Sequence, residues 1–167
     1  GVNKIGIWAG GGAQGISEEI TKLSEHLNAP IFTSFAGRGV GSASKNYLTI
    51  PIHEVEAEQV LSQCEALLVF GSQLDGMNTK NWGINFPQKI IIFDANPSIT
   101  LRNIKAHLAV RTADLAKATQ YLNTLPSREH WIDVSQISIA ARKRIANSEK
   151  GRDGMALVAA IEKSWPI

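Results

Sequence analysis

A single cysteine, Cys64, in a chain of 167 residues excludes an internal disulfide framework. No run of about 18 apolar residues occurs, so no transmembrane helix is expected. No basic-then-apolar leader with a small-residue cleavage site opens the chain, and the expected location is the cytoplasm. Charge of one sign is not concentrated anywhere: 17 Lys and Arg against 15 Asp and Glu leave a net +2. The basic run Arg142, Lys143, Arg144 lacks the interleaved aromatics of a single-strand platform, so nucleic acid is not an expected partner. His26, His53, His107 and His130 are too scattered for a metal-ligand spacing, with no Cys pair or His-x-x-x-His beside them. Nucleophile-elbow, Walker and HExxH motifs are also missing. No catalytic residue and no metal ligand is therefore assigned.

What is present is an alternation of short apolar runs with helical periodicity. Strands are expected at Lys4 to Ala9, Pro30 to Ser34, Ala66 to Phe70, Lys89 to Asp94 and, more weakly, His107 to Val110. Each is almost continuously apolar, the mark of strands buried on both faces of a parallel sheet. Helices are expected at Ser17 to Leu27, Val55 to Cys64, Ile99 to Ile104 and Ala113 to Leu125. Ser17 supplies a capping hydroxyl, with Glu18 and Glu19 in the first turn. Asn96-Pro97 offers a cap followed by a first-turn proline. The pattern predicts a doubly wound α/β domain, a mostly parallel Rossmann-like sheet of about six strands with helices on both faces.

The domain is expected to span residues 1–125. From Pro126 the composition turns charged and Ser-rich, and residues 126–152 read as a connector with one helix from Arg128 to Asn147. Trp131, Ile132, Ile137, Ile139 and Ile145 make that helix partly apolar, fit either for packing on its own domain or for docking neighbouring ones. Asp153 to Trp165 reads as an amphipathic helix with Met155, Val158, Ile161 and Trp165 on one stripe. With no initial Met and a closing helix that has nothing obvious to pack on, the chain reads as a piece of a longer protein. Cys64 falls on the apolar face of its helix, where a small buried thiol is the common case.

Directly after the first strand stands Gly10-Gly11-Gly12-Ala13-Gln14-Gly15, a G-x-G-x-x-G loop opening onto a helix. Such a loop lets backbone approach a pyrophosphate and aim N–H groups at it. It serves equally as a plain tight turn. A nicotinamide site also wants an acid about 20 positions on, at the end of the second strand. Here that strand ends Thr33-Ser34-Phe35, with Glu25 before it and Glu54 after it. Two further strand ends carry polar groups: Gly71-Ser72-Gln73-Leu74-Asp75 and Asp94-Ala95-Asn96-Pro97. Ligands bind at carboxyl ends of strands in open α/β sheets. Asp94 suits either a ribose or adenine edge or a turn before Pro97.

Five stretches in this order resemble the central domain of thiamine-diphosphate-dependent enzymes of the acetolactate synthase, pyruvate oxidase and benzoylformate decarboxylase family. They are Ile7 to Gly12, Leu23 to Ser34, Gly37-Arg38-Gly39, Ala66 to Ser72 and Ile91 to Pro97, within a likeness spanning roughly Ile5 to Leu125. Asp153 to Ile161 is similar to the opening helix of that family's third, diphosphate-binding domain. The resemblance implies a three-domain parent that is at least a dimer and acts on a small 2-oxo acid. Thiamine diphosphate and magnesium would then be bound by the other two domains. Gly151-Arg152-Asp153-Gly154 imitates the start of the metal motif, but an extra Arg breaks the triplet, and the 13 residues after Gly154 contain no Asn.

In relatives of this kind the central domain holds FAD, ADP or nothing, within a fold of the deoxyhypusine-synthase-like NAD/FAD-binding type. Carried over residue by residue, Gly10, Gly11 and Gly12 would face a pyrophosphate, and Thr33 and Gly37 would line the adjacent strand end. Gly71, Ser72, Gln73 and Asp75 would lie near ribityl or ribose groups, and Asp94 and Ala95 near the adenosine. Two departures weigh against a tightly held FAD. Where flavin-binding relatives resemble G-A-R-F-D-D-R, this chain reads Gly71 to Met77 and lacks both Arg. Where they show a Gly-Met-His-Gly element, Ile50-Pro51-Ile52-His53-Glu54 has no glycine to admit close backbone approach. The expected function is the central domain of a decarboxylase or carboligase, inactive alone. The alternative is a stand-alone flavin or NAD-binding subunit of another complex.

Overall fold

The computed structural model describes residues 1–164. Five parallel strands form one sheet: β1 Ile5–Ala9, β2 Ile31–Thr33, β3 Ala66–Phe70, β4 Lys89–Asp94 and β5 Leu108–Arg111, in the order β2-β1-β3-β4-β5. The expected count of about six falls to five. The sixth position, outside β2, is held by a single parallel bridge from Ile31 to Tyr47, in which Ile31 N donates to Asn46 O and Leu48 N to Ile31 O. β2 has only three residues, and Pro51 has no N–H to carry a ladder further.

Side chains alternate across the sheet and build a core on each face. Trp8, Leu67, Val69, Ile90 and Ile92 point to one side, onto α2 Val55–Gln63. Ile7, Leu68, Phe70 and Phe93 point to the other, onto α1 Ser17–Leu27 and α3 Leu115–Leu122. Phe70 and Phe93 stack there with centroids 5.0 Å apart. Strand order reverses between β1 and β3, so the crevice beyond their carboxyl ends is the fold's switch point.

Several boundaries differ from expectation for local reasons. Ser17 begins α1 but does not cap it: the N-cap is Ile16, a six-residue 3-10 turn Gly11–Ile16 leads in, and Ser17 Oγ accepts from Gly41 N at 2.9 Å. Asn28, left-handed at φ 46°, ends α1. The expected helix Ile99 to Ile104 is only a 3-10 turn, Thr100–Arg102. Asp114 caps α3 by accepting from Lys117 N at 2.9 Å, which sets its start two residues later than Ala113.

The connector helix is α4, Val134–Asn147, starting after the cap Asp133 rather than at Arg128. Val134 and Ala141 join the core beside α2, so the helix packs back on its own sheet. Arg144 fastens it there, with Nε donating to Glu56 Oε1 at 2.7 Å and Nη2 to Glu54 Oε2 at 2.5 Å. Arg144 holds the Glu56 carboxyl below its ordinary value. That support is present above the ordinary carboxylate range and is lost as pH falls through the lowered value. Arg144→Ala is expected to lower the melting temperature at low ionic strength and to leave it nearly unchanged at about 1 M salt, as calorimetry at two salt concentrations would read.

α5, Glu149–Ser164, packs on α4 and begins four residues before the expected Asp153. Met155, Val158 and Ile161 lie exposed on it; the fourth residue of the expected stripe, Trp165, lies outside the described residues. The start of the connector is tied to the start of the chain. Arg128 Nε donates to Val2 O at 2.9 Å, Asn28 Nδ2 donates to Arg128 O at 2.7 Å, and a ring nitrogen of His26 bonds Leu125 O at 2.7 Å.

Candidate functional site

The glycine loop emerges at the switch point, where the sequence reading places it, but its amides are largely committed within the protein. Gly10 N donates to Phe70 O at 2.9 Å and Gly12 N to Gly71 O at 3.0 Å. The space that side chains would occupy is taken by neighbouring backbone. A Cβ on Gly10 would stand 2.2 Å from Gly71 O, and one on Gly37 would stand 2.2 Å from Ala9 O. Gly71 has φ +55° and would put a Cβ 2.6 Å from the Gly12 carbonyl carbon. These glycines let the loops after β1, β2 and β3 press against one another. Gly15, by contrast, has nothing within 4 Å of its Cβ position, so it supplies no helix-to-strand contact.

Over this junction lies a cleft of about 270 Å³, where Gly11, Gly12, Gly71, Ser72, Gln73 and Asp75 come together with Ser34, Ala36 and Asn78. Gly10, Thr33 and Gly37 lie outside its lining, and Asp94 and Ala95 sit at the next strand end along the sheet. Ser72 is 5% exposed; its Oγ accepts from Trp8 Nε1 at 3.1 Å and from Leu74 N at 3.2 Å. Both Asp75 oxygens accept from Asn78, from its N at 3.1 Å and its Nδ2 at 2.8 Å. Asp94 Oδ1 accepts from Asn96 N at 2.7 Å, a turn-forming bond before Pro97, and Ala95 O accepts from Arg111 Nε.

Asn78 went unread in the sequence, and so did the contact that His53 makes with Phe35. Asn78 Oδ1 accepts from Phe35 N at 2.9 Å, joining the loops after β2 and β3. His53 packs tilted against Phe35 with ring centroids 5.6 Å apart and bonds Met77 O at 2.7 Å. No motif marks these residues; a polar side chain inside a loop that must close on another loop is the available signal. Beyond Asn78 the backbone runs left-handed through Lys80, Asn81 and Trp82, which costs about 1–2 kcal/mol per residue. Thr79 Oγ1 accepting from Trp82 N, and Trp82 Nε1 donating to Leu74 O, hold it there.

A family model for the thiamine pyrophosphate enzyme central domain matches residues 2–122. The chain belongs to that family. It is also 26% identical over 134 residues to the acetolactate synthase large subunit of Buchnera aphidicola subsp. Acyrthosiphon pisum, an alignment covering 77% of this chain. The same alignment spans 23% of that protein's length.

The strand ends of this central domain do not fit the pyrophosphate of FAD or ADP. Two of the three loop-glycine amides are spent on the β3 loop, and the expected adenosine contacts lie outside the cleft lining. Nor do the described residues fit a magnesium diphosphate site. They contain no group of three or more His, Cys, Asp or Glu able to hold a metal ion, and Gly151 to Gly154 lie inside α5, not in a ligand loop. No described helix is long and apolar enough to cross a membrane.

Cys64, the C-cap residue of α2, is buried and bonds Val60 O through Sγ. Burial pushes its thiol up to about 12 from 9.0, slightly opposed by Lys4. The thiol is neutral in both folded and unfolded chains below about 9, and between about 9 and 12 only the unfolded chain loses the proton, so stability should fall across that window. Native protein at pH 8 is expected to resist a thiol-reactive disulfide reagent and to react promptly once unfolded.

Proposed function

We propose that this domain is the structural centre of a 2-oxo-acid decarboxylase or carboligase of the acetolactate synthase kind, holding two catalytic domains in register. In this reading thiamine diphosphate and magnesium are bound by those other domains. The parent is a homo-oligomer acting on a small 2-oxo acid in the cytoplasm. Residues 1–125 form the α/β unit, 126–152 the connector, and 153–167 belong to the next domain. The likeness to an acetolactate synthase large subunit supports this reading, as does the resemblance of Asp153 to Ile161 to the third domain's opening helix. The observation that carries the spacer role is the self-filled glycine loop. Its amides and Cβ space are used to lock three loops together, which leaves the cleft a vestige of a nucleotide site.

Calorimetric titration of the chain with FAD and with ADP, at one protein concentration and salt, tests this. Neither is expected to give saturable heat. Micromolar binding of either one, abolished by Gly11→Val or by Asp94→Ala, would overturn the spacer reading and make the strand ends a working nucleotide site.

A further inference from the structure

A second hollow shares no lining residue with the glycine cleft. The segment carrying the Tyr47 bridge faces the first turns of α4 across about 260 Å³, lined by Lys45, Tyr47, Thr49, Ser135, Ser138 and Arg142 among others. No carboxylate lines it. Among the described residues Lys45 and Arg142 form no ion pair, whereas Arg144, one short step along the same helix, takes two glutamates.

Of its hydroxyls, Ser44 Oγ is held by Ser24 Oγ and Asn46 N, but two others keep a proton to give. Tyr47 Oη accepts from Gly39 N at 3.1 Å and Ser138 Oγ from Thr49 N at 3.4 Å, which leaves both O–H protons to be donated. Two cations without an ion-pair partner among the described residues, one with the planar fork suited to phosphate, converge with hydroxyl donors on a concave space that holds no carboxylate to pair with them.

We propose that this hollow binds a phosphate-type oxyanion, as the free ion or as the phosphate end of a small monoester. Arg142 and Lys45 neutralise its charge, and the hydroxyls of Tyr47 and Ser138 donate to its oxygens. The site is independent of what the parent enzyme does.

Amide chemical shifts of the chain, titrated at constant ionic strength with inorganic phosphate and with glycerol 3-phosphate against chloride, test the site. Saturable shifts confined to residues 42–49 and 134–142 are expected, and tighter binding of the ester would identify the monoester as the natural form. Lys45→Gln with Arg142→Gln should weaken binding at least about tenfold, and both side chains are exposed enough for the fold to survive. Ser138→Ala is the second variant and should weaken binding without changing net charge. Shifts that fail to saturate would overturn the proposal. So would an affinity unchanged in both variants.

Discussion

Gly10→Ala is expected to abolish the cooperative unfolding transition or to cost more than about 4 kcal/mol. The added methyl would lie 2.2 Å from Gly71 O and 2.5 Å from Ser72 Cβ. Neither is the end of a flexible side chain. Relief requires the loops after β1 and β3 to part, which breaks the bonds from Gly10 N to Phe70 O and from Gly12 N to Gly71 O. Gly37→Ala should behave alike, and Gly71→Ala should be at least as severe because φ there is positive. Gly15→Ala is the control: with open space at its Cβ, it should be neutral or stabilising by about 0.4–1 kcal/mol. Urea melts of the four variants separate this from the pyrophosphate reading of the loop, under which loss of ligand affinity, not of stability, would be the main effect at Gly10.

Trp8→Ala is the second large effect, with an expected loss of about 3–5 kcal/mol. Trp8 is fully buried on β1, packs near Phe86 and donates to Ser72 Oγ. Truncation empties the core on that face and removes the donor that fixes the first residue pair of the β3 loop. Ser72→Ala should cost about 1–3 kcal/mol, since it leaves Trp8 Nε1 and Leu74 N buried without their acceptor. A double-mutant cycle of Trp8→Phe with Ser72→Ala should return a positive coupling, read from the same urea melts. Additivity of the two would mean that the bond contributes nothing beyond packing.

Much of the sheet was legible because β1, β3 and β4 are apolar runs buried on both faces, a pattern with few other readings. Helix α1 was legible in both its ends, although the residue expected to cap it turned out to brace the backbone at Gly41 instead. The short elements were less legible: Thr100–Arg102 and the Tyr47 bridge rest on one or two tertiary hydrogen bonds that no local periodicity announces. For the site, the sequence located the glycines but not their use. A glycine that admits a ligand and a glycine that admits another loop look identical in a motif, and only the position of Gly71 O tells them apart. Asp75 and Asp94 have the same ambiguity: both Asp75 oxygens accept from Asn78, and Asp94 accepts from Asn96 N through Oδ1.

The clasp of Arg128 on Val2 bears on how the domain would carry load. Entry to and exit from the α/β unit lie side by side, at the end of the sheet away from the glycine junction. A pull applied at residues 2 and 128 therefore strains the Arg128, Asn28 and His26 bonds first, before any strand is sheared from its neighbour. Tension applied at those two points would open a small polar hinge and spare the sheet.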